Sequence, residues 1–216
     1  MRTSRPRLHG QVVRPSTLHL HTSRTRSSMR HLIVTTFLTL DGVYEEATPW
    51  QRDFTSEQTA RFKREELFEA GAILLGRVTY DGFAGYWPHA SDTGEFGERM
   101  NALPKYVATT TLDHLEWNNA TVLGGDLVAS VDALKQVDGG PILVYGSGTL
   151  AQSLLRHGLV DELRLMIFPL VLGSGRRLFG AGDRLRLNLA STRELGSGVL
   201  LLTYTPAERR PPDPLV

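Results

Sequence analysis

Two apolar, strand-like segments of this chain end at glycine and lead directly into a helix-opening sequence, and this pattern constrains the fold most. The first is Leu74-Leu75-Gly76-Arg77-Val78-Thr79-Tyr80, and the second is Ile142-Leu143-Val144-Tyr145-Gly146-Ser147-Gly148-Thr149-Leu150. Each junction places backbone N–H groups and a helix N-terminus at the carboxyl end of a strand, where α/β proteins hold phosphates. Because two such junctions occur in one small chain, they favour a dinucleotide over a mononucleotide or a free anion.

Strand and helix patterns alternate along the rest of the chain. The predicted strands cover residues 31–40, 72–75, 105–111, 120–123, 141–145 and 161–172, followed by a closing hairpin of 186–194 and 199–205. The predicted helices cover residues 55–70, 77–83, 126–137 and 149–157, and residues 43–54 and 84–103 are expected to be irregular. This order predicts an α/β fold of three layers, in which helices cover both faces of a mixed, mostly parallel central sheet with an antiparallel C-terminal hairpin.

The chain of 216 residues has the size of one domain, which we place at residues 29–206. Residues 1–28 contain six arginines and no acidic residue. We interpret them as a disordered extension or as upstream sequence from a mis-called start, with an organelle transit peptide as the alternative. Residues 207–216 are expected to form a disordered tail.

The composition excludes several classes of function. Beyond residue 28 the chain has 18 basic and 23 acidic residues, a balance that argues against a nucleic-acid-binding surface. No cysteine is present, so disulfides, thiol nucleophiles and cysteine-ligated metal centres are excluded. The histidines lack metal-ligand spacing, and no apolar run approaches the roughly 20 residues of a membrane span. We therefore expect a cytoplasmic protein with no metal site and no membrane partner.

The two glycine junctions allow a ligand-binding and a purely structural interpretation. In Gly146-Ser147-Gly148 the first glycine permits a tight turn and the second lets a pyrophosphate approach the backbone, but a tight strand-to-helix turn needs glycine in any case. Arg77 offers a planar fork for phosphate and Thr79 adds a hydroxyl, although an arginine that opens a helix can also point to solvent. A 2′-phosphate bound by Arg77 would favour NADPH over NADH.

Other candidate site residues lie after the predicted strands. Thr109-Thr110-Thr111 ends the third strand and could line the adenosine part of a cofactor, or could reflect β-propensity alone. Asp41 and Asp53 are acids near the first loop that could relay a proton or bind a substrate amine, whereas Asp-Gly turn chemistry is a structural explanation for Asp41. Trp50 and Tyr86-Trp87 could wall a flat heterocycle or could cover the core.

Together these motifs resemble those of the dihydrofolate reductase-like superfamily, most closely the C-terminal reductase domain of the bifunctional riboflavin-biosynthesis deaminase/reductases. The resemblance covers about residues 30–205. Thr39-Leu40-Asp41-Gly42 is similar to the opening Ser-Leu-Asp-Gly motif of that branch. Val160-Asp161-Glu162-Leu163 and Pro169-Leu170-Val171-Leu172-Gly173-Ser174-Gly175 are similar to its late strand and glycine turn. The zinc site of the deaminase half has no counterpart, because the chain has no cysteine.

The resemblance implies NADPH-dependent reduction of a small pyrimidine- or pterin-like heterocycle by a homodimer. The default activity is that of a 5-amino-6-(5-phosphoribosylamino)uracil reductase, and the alternatives are dihydrofolate reduction or a non-catalytic nucleotide-binding module. Asp41 and Trp50 would flank the substrate, Asp53 is the candidate catalytic acid, and Arg176 and Arg177 are candidates for binding a ribose phosphate. The residues that would bind the cofactor are Gly76, Arg77, Thr79, Thr109, Thr110, Gly146, Ser147, Gly148 and Thr149.

Overall fold

Eight strands and six α-helices make up the computed structural model, which describes residues 29–180 and 184–207. The predicted extension 1–28 and all but the first residue of the predicted tail 207–216 lie outside the described residues. The strands are β1 Leu32–Thr39, β2 Ala72–Gly76, β3 Lys105–Ala108, β4 Ala120–Leu123, β5 Ile142–Tyr145, β6 Glu162–Phe168, β7 Leu187–Glu194 and β8 Leu200–Pro206. The helices are α1 Ala47–Gln51, α2 Glu57–Glu69, α3 Arg77–Ala84, α4 Gly94–Ala102, α5 Leu127–Lys135 and α6 Gly148–Arg156, and a short 3-10 helix lies at Arg52–Phe54.

The strands form one sheet in the order β4-β3-β2-β5-β1-β6-β8-β7. The pairs from β4 to β6 are all parallel, whereas β8 runs antiparallel to both β6 and β7. This arrangement confirms the predicted α/β fold with its antiparallel C-terminal hairpin. Because parallel strands present their carboxyl ends at one edge of a sheet, the loops that follow β1, β2, β3 and β5 meet on the same side of the molecule.

The apolar residues of the central strands alternate between two cores, one on each face of the sheet. Leu32 and Val34 pack in a cluster to which α5 and α6 contribute. Ile33, between them, packs in a second cluster to which α2, α3 and α4 contribute. Helices therefore cover both faces, which explains why these strands have continuous apolar sequences instead of alternating polar and apolar residues.

Side-chain caps begin two of the predicted helices. The Ser56 hydroxyl accepts a hydrogen bond from the Thr59 N–H at 3.0 Å, and the Thr59 hydroxyl accepts one from the Ser56 N–H at 2.9 Å, which forms a capping box. The Asp126 carboxylate accepts from the Ala129 N–H at 2.9 Å and so caps α5. Both helices begin within two residues of the predicted positions.

The structure differs from the prediction in two segments expected to be irregular. Helix α4 lies within residues 84–103, and α1 with the 3-10 helix lies within residues 43–54. Glycines at positions 94 and 97 weaken the helical signal of α4, so its helix depends on tertiary contacts such as the burial of Met100. Strand β3 ends at Ala108, because the Thr109 hydroxyl accepts from the Thr111 and Leu112 N–H groups and turns the chain.

A buried lysine fastens α4 to the sheet. The Lys105 side chain is completely buried, and its ammonium donates to the carbonyl oxygens of Asn101, Leu103 and Asn118 at 2.8, 2.7 and 3.1 Å. The ammonium also lies 4.4 Å from the centre of the Trp117 ring. One cation therefore satisfies three carbonyl groups at the end of α4 and before β4.

We predict that Lys105→Met lowers the free energy of unfolding by about 3 kcal/mol, because three interior carbonyl oxygens lose their donor. Urea denaturation followed by tryptophan fluorescence measures this change. Arg61→Met is the control, since Arg61 makes only an exposed ion pair with Glu65, worth less than about 1 kcal/mol. Equal losses in the two variants would contradict a stabilising role for Lys105.

Candidate functional site

A cleft of about 1340 Å³ opens at the carboxyl ends of the parallel strands. The loop after β1, the first turns of α3 and α6, and the segments that follow β3 and β4 form its walls. Every residue predicted to bind the cofactor lines this cleft, namely Gly76, Arg77, Thr79, Thr109, Thr110, Gly146, Ser147, Gly148 and Thr149. The fold thus brings together residues that are more than 70 positions apart in the sequence.

Two hydrogen bonds join the turn at Gly76, which follows β2, to the turn at residues 146–148, which follows β5. The Ser147 hydroxyl accepts from the Gly76 N–H at 3.0 Å, and the Thr79 hydroxyl accepts from the Ser147 N–H at 3.1 Å. Ser147 is buried and has a positive φ of 51°, a conformation that an L-residue rarely adopts. Ser147 and Thr79 therefore hold the two turns at a fixed separation, and each hydroxyl keeps its own proton to donate.

The N-terminus of α6 faces the cleft beneath an aromatic ring that sequence reasoning missed. Tyr44 lies so close to Gly148 that a Cβ atom at position 148 would overlap the ring carbons. The Tyr44 N–H donates to the Arg176 carbonyl at 3.1 Å, and the Arg176 guanidinium lies 5.6 Å from the Tyr44 ring. A side chain at position 148 would have to displace the Tyr44 ring. The aromatic residue in the first loop is the only sequence signal for this contact.

The remaining predicted cofactor residues lie at the rim of the cleft. Arg77 is exposed at the start of α3, where its Nη1 atom lies 3.2 Å from Asp81 Oδ2. Thr110 and Thr149 are exposed, whereas the Thr109 hydroxyl is already engaged in the turn after β3. Arg77 thus presents a charged donor group to the cleft. A bound anion would have to replace only the solvent-exposed carboxylate of Asp81 as its partner.

Aromatic rings form one wall of the cleft. Phe83 on α3 lies 6.1 Å from Tyr145 and 6.3 Å from Trp87, measured between ring centres. Trp87 in turn lies 5.0 Å from Tyr86 and 5.5 Å from Phe96. All five residues line the cleft, so the predicted pair Tyr86-Trp87 stands where it could pack against a flat ring.

Asp41 does not line the cleft, because its carboxylate holds the loop 170–177 against the end of β1. It accepts hydrogen bonds from the Thr39 hydroxyl at 2.6 Å, the Leu172 N–H at 3.3 Å and the Gly173 N–H at 2.9 Å. Arg177 adds an ion pair at 3.2 Å. The Thr39 hydrogen bond first, and then the two backbone N–H groups, lower the pKa of Asp41 from 3.8 to about 2.

Trp50 and Asp53 also lie away from the cleft wall. The Trp50 indole N–H donates to the Glu45 carbonyl at 3.1 Å, and its ring packs edge-on against Phe168 at 5.2 Å. Asp53 is exposed in the 3-10 helix. The catalytic roles of Asp41, Trp50 and Asp53 stay predictions, and their positions do not bring them together at the cleft.

The two arginines considered for a ribose phosphate have different surroundings. Arg176 lines the cleft and pairs with Glu45 at 2.7 Å, whereas Arg177 pairs with Asp41 behind the loop. Arg52 also lines the cleft and is exposed. A phosphate group would therefore meet Arg52 or would have to compete with Glu45 for Arg176.

A buried group of charges beside the cleft was missed by sequence reasoning. Lys63 and Glu66 on α2 form an ion pair in which the Glu66 side chain is completely buried and that of Lys63 is 17% exposed. Arg164 on β6 lies 3.7 Å from Glu66, and the Thr35 hydroxyl donates to Glu66 at 3.4 Å. The spacing of Lys63 and Glu66 is that of an ordinary surface pair, so the sequence gives no signal that the pair is buried.

Neither a metal-ligand group nor a membrane-spanning helix occurs in the part of the chain that the structure describes. Within residues 29–180 and 184–207, histidine, aspartate and glutamate side chains form no group of three or more that could hold a metal ion. None of the helices described here combines the length and the apolar character needed to cross a membrane.

Comparisons with known proteins agree with the fold, which is that of a dihydrofolate reductase-like α/β protein. A family model described as the RibD C-terminal domain matches residues 30–201. The uncharacterized protein YyaP of Bacillus subtilis (strain 168) is 31% identical over 179 residues, covering 81% of this chain and 94% of YyaP. The chain therefore belongs to the RibD C-terminal domain family.

Solved structures share the fold at lower sequence identity. A provisionally assigned riboflavin biosynthesis protein from Shewanella sp. PV-4 has a TM-score of 0.68 and 22% identity, covering 82% of this chain and 99% of that one. A diaminohydroxyphosphoribosylaminopyrimidine deaminase/5-amino-6-(5-phosphoribosylamino)uracil reductase from Thermotoga maritima has a TM-score of 0.59 and 15% identity. That match covers 83% of this chain but only 57% of the Thermotoga protein. These likenesses establish the dihydrofolate reductase-like fold.

We predict that Ser147→Ala lowers the free energy of unfolding by about 1–2 kcal/mol, because the Gly76 N–H loses its acceptor. Ser147→Gly removes the same hydroxyl but relieves the positive φ, so its loss should be smaller. Ser191→Ala, on the exposed strand β7, is the control and should change stability by less than about 0.5 kcal/mol. Urea denaturation of the three variants tests this, and equal stability of Ser147→Ala and wild type would exclude the proposed connection.

We predict that Asp41 makes stability depend on pH in the acid range. Its pKa falls from 3.8 in the unfolded chain to about 2 in the folded one, so its contribution is complete above pH 4 and is lost as the pH falls towards 2. Asp41→Asn should therefore show a smaller drop in urea midpoint between pH 6 and pH 3 than wild type. Asp53→Asn is the control, because Asp53 makes none of these contacts, and it should follow the wild-type curve.

Proposed function

We propose that this protein is an NADPH-dependent reductase of a small heterocyclic substrate. The observation that carries the proposal is the single cleft in which two fastened glycine turns, a helix N-terminus and an aromatic wall meet at the carboxyl ends of the strands. Its volume of about 1340 Å³ exceeds the roughly 300–1,000 Å³ typical of a site for one small ligand. A cleft of that size suits a dinucleotide together with a second molecule.

The residues present fit a dinucleotide phosphate. The first N–H groups of α6, at Gly148 and Thr149, have no partner within their own helix and face the cleft. Gly146 has a positive φ of 49°, which lets the chain turn sharply into that helix. Arg77, which lines the cleft at the start of α3, would bind a 2′-phosphate and so favour NADPH over NADH. Thr109 and Thr110 would lie along the adenosine.

Bound NADPH would supply a hydride to an electrophilic carbon of a C=N or C=O group, in the manner of nicotinamide cofactors. The chain would do the rest. The aromatic wall of Phe83, Tyr86 and Trp87 would orient a flat ring and exclude water from it. The turns joined by Ser147 would keep the cofactor and the ring at a fixed separation.

We propose a uracil-type riboflavin precursor, 5-amino-6-(5-phosphoribosylamino)uracil, as the first substrate to test. Membership of the RibD C-terminal domain family and the fold shared with the Thermotoga deaminase/reductase support this choice. Dihydrofolate is less well supported, because Trp50 packs on Phe168 and not on the cleft. The expected homodimer and cytoplasmic location stay predictions, and a non-catalytic nucleotide-binding module is the outcome if the cofactor binds without turnover.

Titration with NADPH and with NADH, followed by nicotinamide fluorescence, tests the proposal. We expect wild type to bind NADPH more tightly, and Arg77→Ala to weaken NADPH by about 1.5–3 kcal/mol while changing NADH much less. Arg61→Ala is the matched control, because Arg61 is also an exposed arginine paired with a carboxylate four residues later. Absence of binding by either nucleotide would refute the reductase proposal, and equal weakening of both would remove Arg77 from the 2′-phosphate role.

A further inference from the structure

A row of polar side chains crosses the sheet beneath the aromatic end of the cleft. Thr35 on β1 is in register with Tyr145 on β5 and with Arg164 on β6, so the three side chains lie on the same face of three adjacent strands. Lys63 and Glu66 of α2 pack over this row, where Glu66 contacts both Thr35 and Arg164. Polar groups at this depth are costly to bury unless they are paired.

Lys63 is the charged member of this group that lines the cleft. Its ammonium pairs with Glu66 and lies 4.2 Å from the centre of the Tyr145 ring and 5.3 Å from that of Phe37. Lys63, Tyr145 and Phe37 all line the cleft. The ammonium is thus held at the cleft wall by a buried carboxylate and two aromatic faces.

Burial and the neighbouring charges shift the pKa of Lys63 in opposite directions. Burial lowers the pKa of Lys63 from 10.5, the charge and hydrogen bond of Glu66 raise it, and the charge of Arg164 lowers it again. Arg164 has two further carboxylate partners, Glu162 at 2.5 Å and Glu69 at 3.6 Å, so Glu66 is left mainly to Lys63. The net direction for the pKa of Lys63 is downward.

The Tyr145 hydroxyl has no hydrogen-bond partner within the part of the chain that the structure describes, although the side chain is only 7% exposed. Burial raises its pKa well above the ordinary value of 10, and the negative charge of Glu66 raises it further. Tyr145 therefore keeps its proton and remains a donor. The hydroxyl oxygen itself is enclosed, so the ring of Tyr145, which faces the Lys63 ammonium, is the part of this residue that meets the cleft.

We propose that Lys63 is the proton donor of the reductase. This inference rests on the proposed function. As the substrate carbon gains hydride from the reduced nicotinamide, the π-electron pair of C=N or C=O moves to the nitrogen or oxygen. That atom forms a bond to a Lys63 proton, and the N–H bond of Lys63 breaks. The nicotinamide is oxidised, the substrate is reduced, and the neutral amine is reprotonated from water in the cleft.

The other two lysines and the arginines are unsuited to this role. The chain has only three lysines, and the other two are tied elsewhere: Lys105 to three carbonyl groups and Lys135 to Asp161 at 2.6 Å. Arginines retain their protons at any physiological pH. Lys63 is thus the one lysine at the cleft wall, and its proton is available there.

Reaction of the free protein with trinitrobenzenesulfonate, which attacks neutral amines, tests the site without a substrate. Peptide mapping by mass spectrometry follows each lysine between pH 6 and pH 11. We expect Lys63 to react with an apparent pKa below 10.5, and Glu66→Gln to lower that pKa further, because Glu66 stabilises the ammonium. An ordinary pKa near 10.5, or no reaction at Lys63 at any pH, would overturn the proposal.

Turnover of 5-amino-6-(5-phosphoribosylamino)uracil or dihydrofolate, followed as NADPH oxidation, tests the chemical step. Lys63→Arg keeps the charge beside Glu66 but cannot release a proton, so kcat should fall by about 10²-fold or more while NADPH binding is unchanged. Wild-type kcat should decrease as the pH rises through the pKa of Lys63, and the residual activity of Lys63→Arg should lack that decrease. Arg64→Met, the exposed neighbour on α2, is the control and should keep wild-type kcat.

The two tests separate this inference from the proposed function. If wild type does not bind NADPH, the proposed reductase function is refuted. The labelling of Lys63 does not depend on NADPH and still tests the site. Normal NADPH binding combined with a Lys63→Arg kcat within threefold of wild type would refute the role of Lys63 alone. If neither probe is turned over, the labelling result decides whether Lys63 presents an exchangeable proton to the cleft.

Discussion

The connection made by Ser147 is the constraint on which the rest of the site depends. Strands β2 and β5 are neighbours in the sheet, yet each ends in a turn that could take several conformations. The two hydrogen bonds between Ser147, Gly76 and Thr79 select one of them. They also hold Ser147 at a positive φ that it would not adopt in isolation. The helices α3 and α6 therefore start at fixed positions relative to each other. The side chains and N–H groups of their first turns are positioned by these two hydrogen bonds.

Much of the fold could be predicted because its signals are local. Continuous apolar strands, the caps at Ser56 and Asp126, and glycine at the strand ends each specify their own neighbourhood. Helix α4 could not be predicted, since two glycines in nine residues remove the local preference and packing supplies the stability. The cofactor-binding residues predicted from the glycine turns all line one cleft, because backbone geometry ties such turns to strand ends.

The predicted acids Asp41 and Asp53 do not line the cleft, and the reason is physical. A carboxylate after a strand is equally suited to catalysis and to holding a turn, and only the three-dimensional partners decide between the two. Asp41 is surrounded by donors that stabilise its charge, so it is suited to fasten a loop and poorly suited to give up or accept a proton near neutral pH. For Lys63 and Glu66, the sequence indicates an ordinary surface pair and the structure shows a buried one. Their spacing on α2 is that of a solvent-exposed pair, and only the packing of α2 on β1 and β6 shows that they are buried.

The contact between Tyr44 and Gly148 has a consequence for how this family can diverge. The ring occupies the space that any side chain at position 148 would need, so a change at position 148 displaces the Tyr44 ring. A relative with alanine or a larger residue at position 148 must carry a smaller residue at position 44, turn the ring at position 44 away, or move the loop that follows β1. Substitutions at the start of α6 are therefore expected to covary with the length and composition of a loop more than 100 residues earlier.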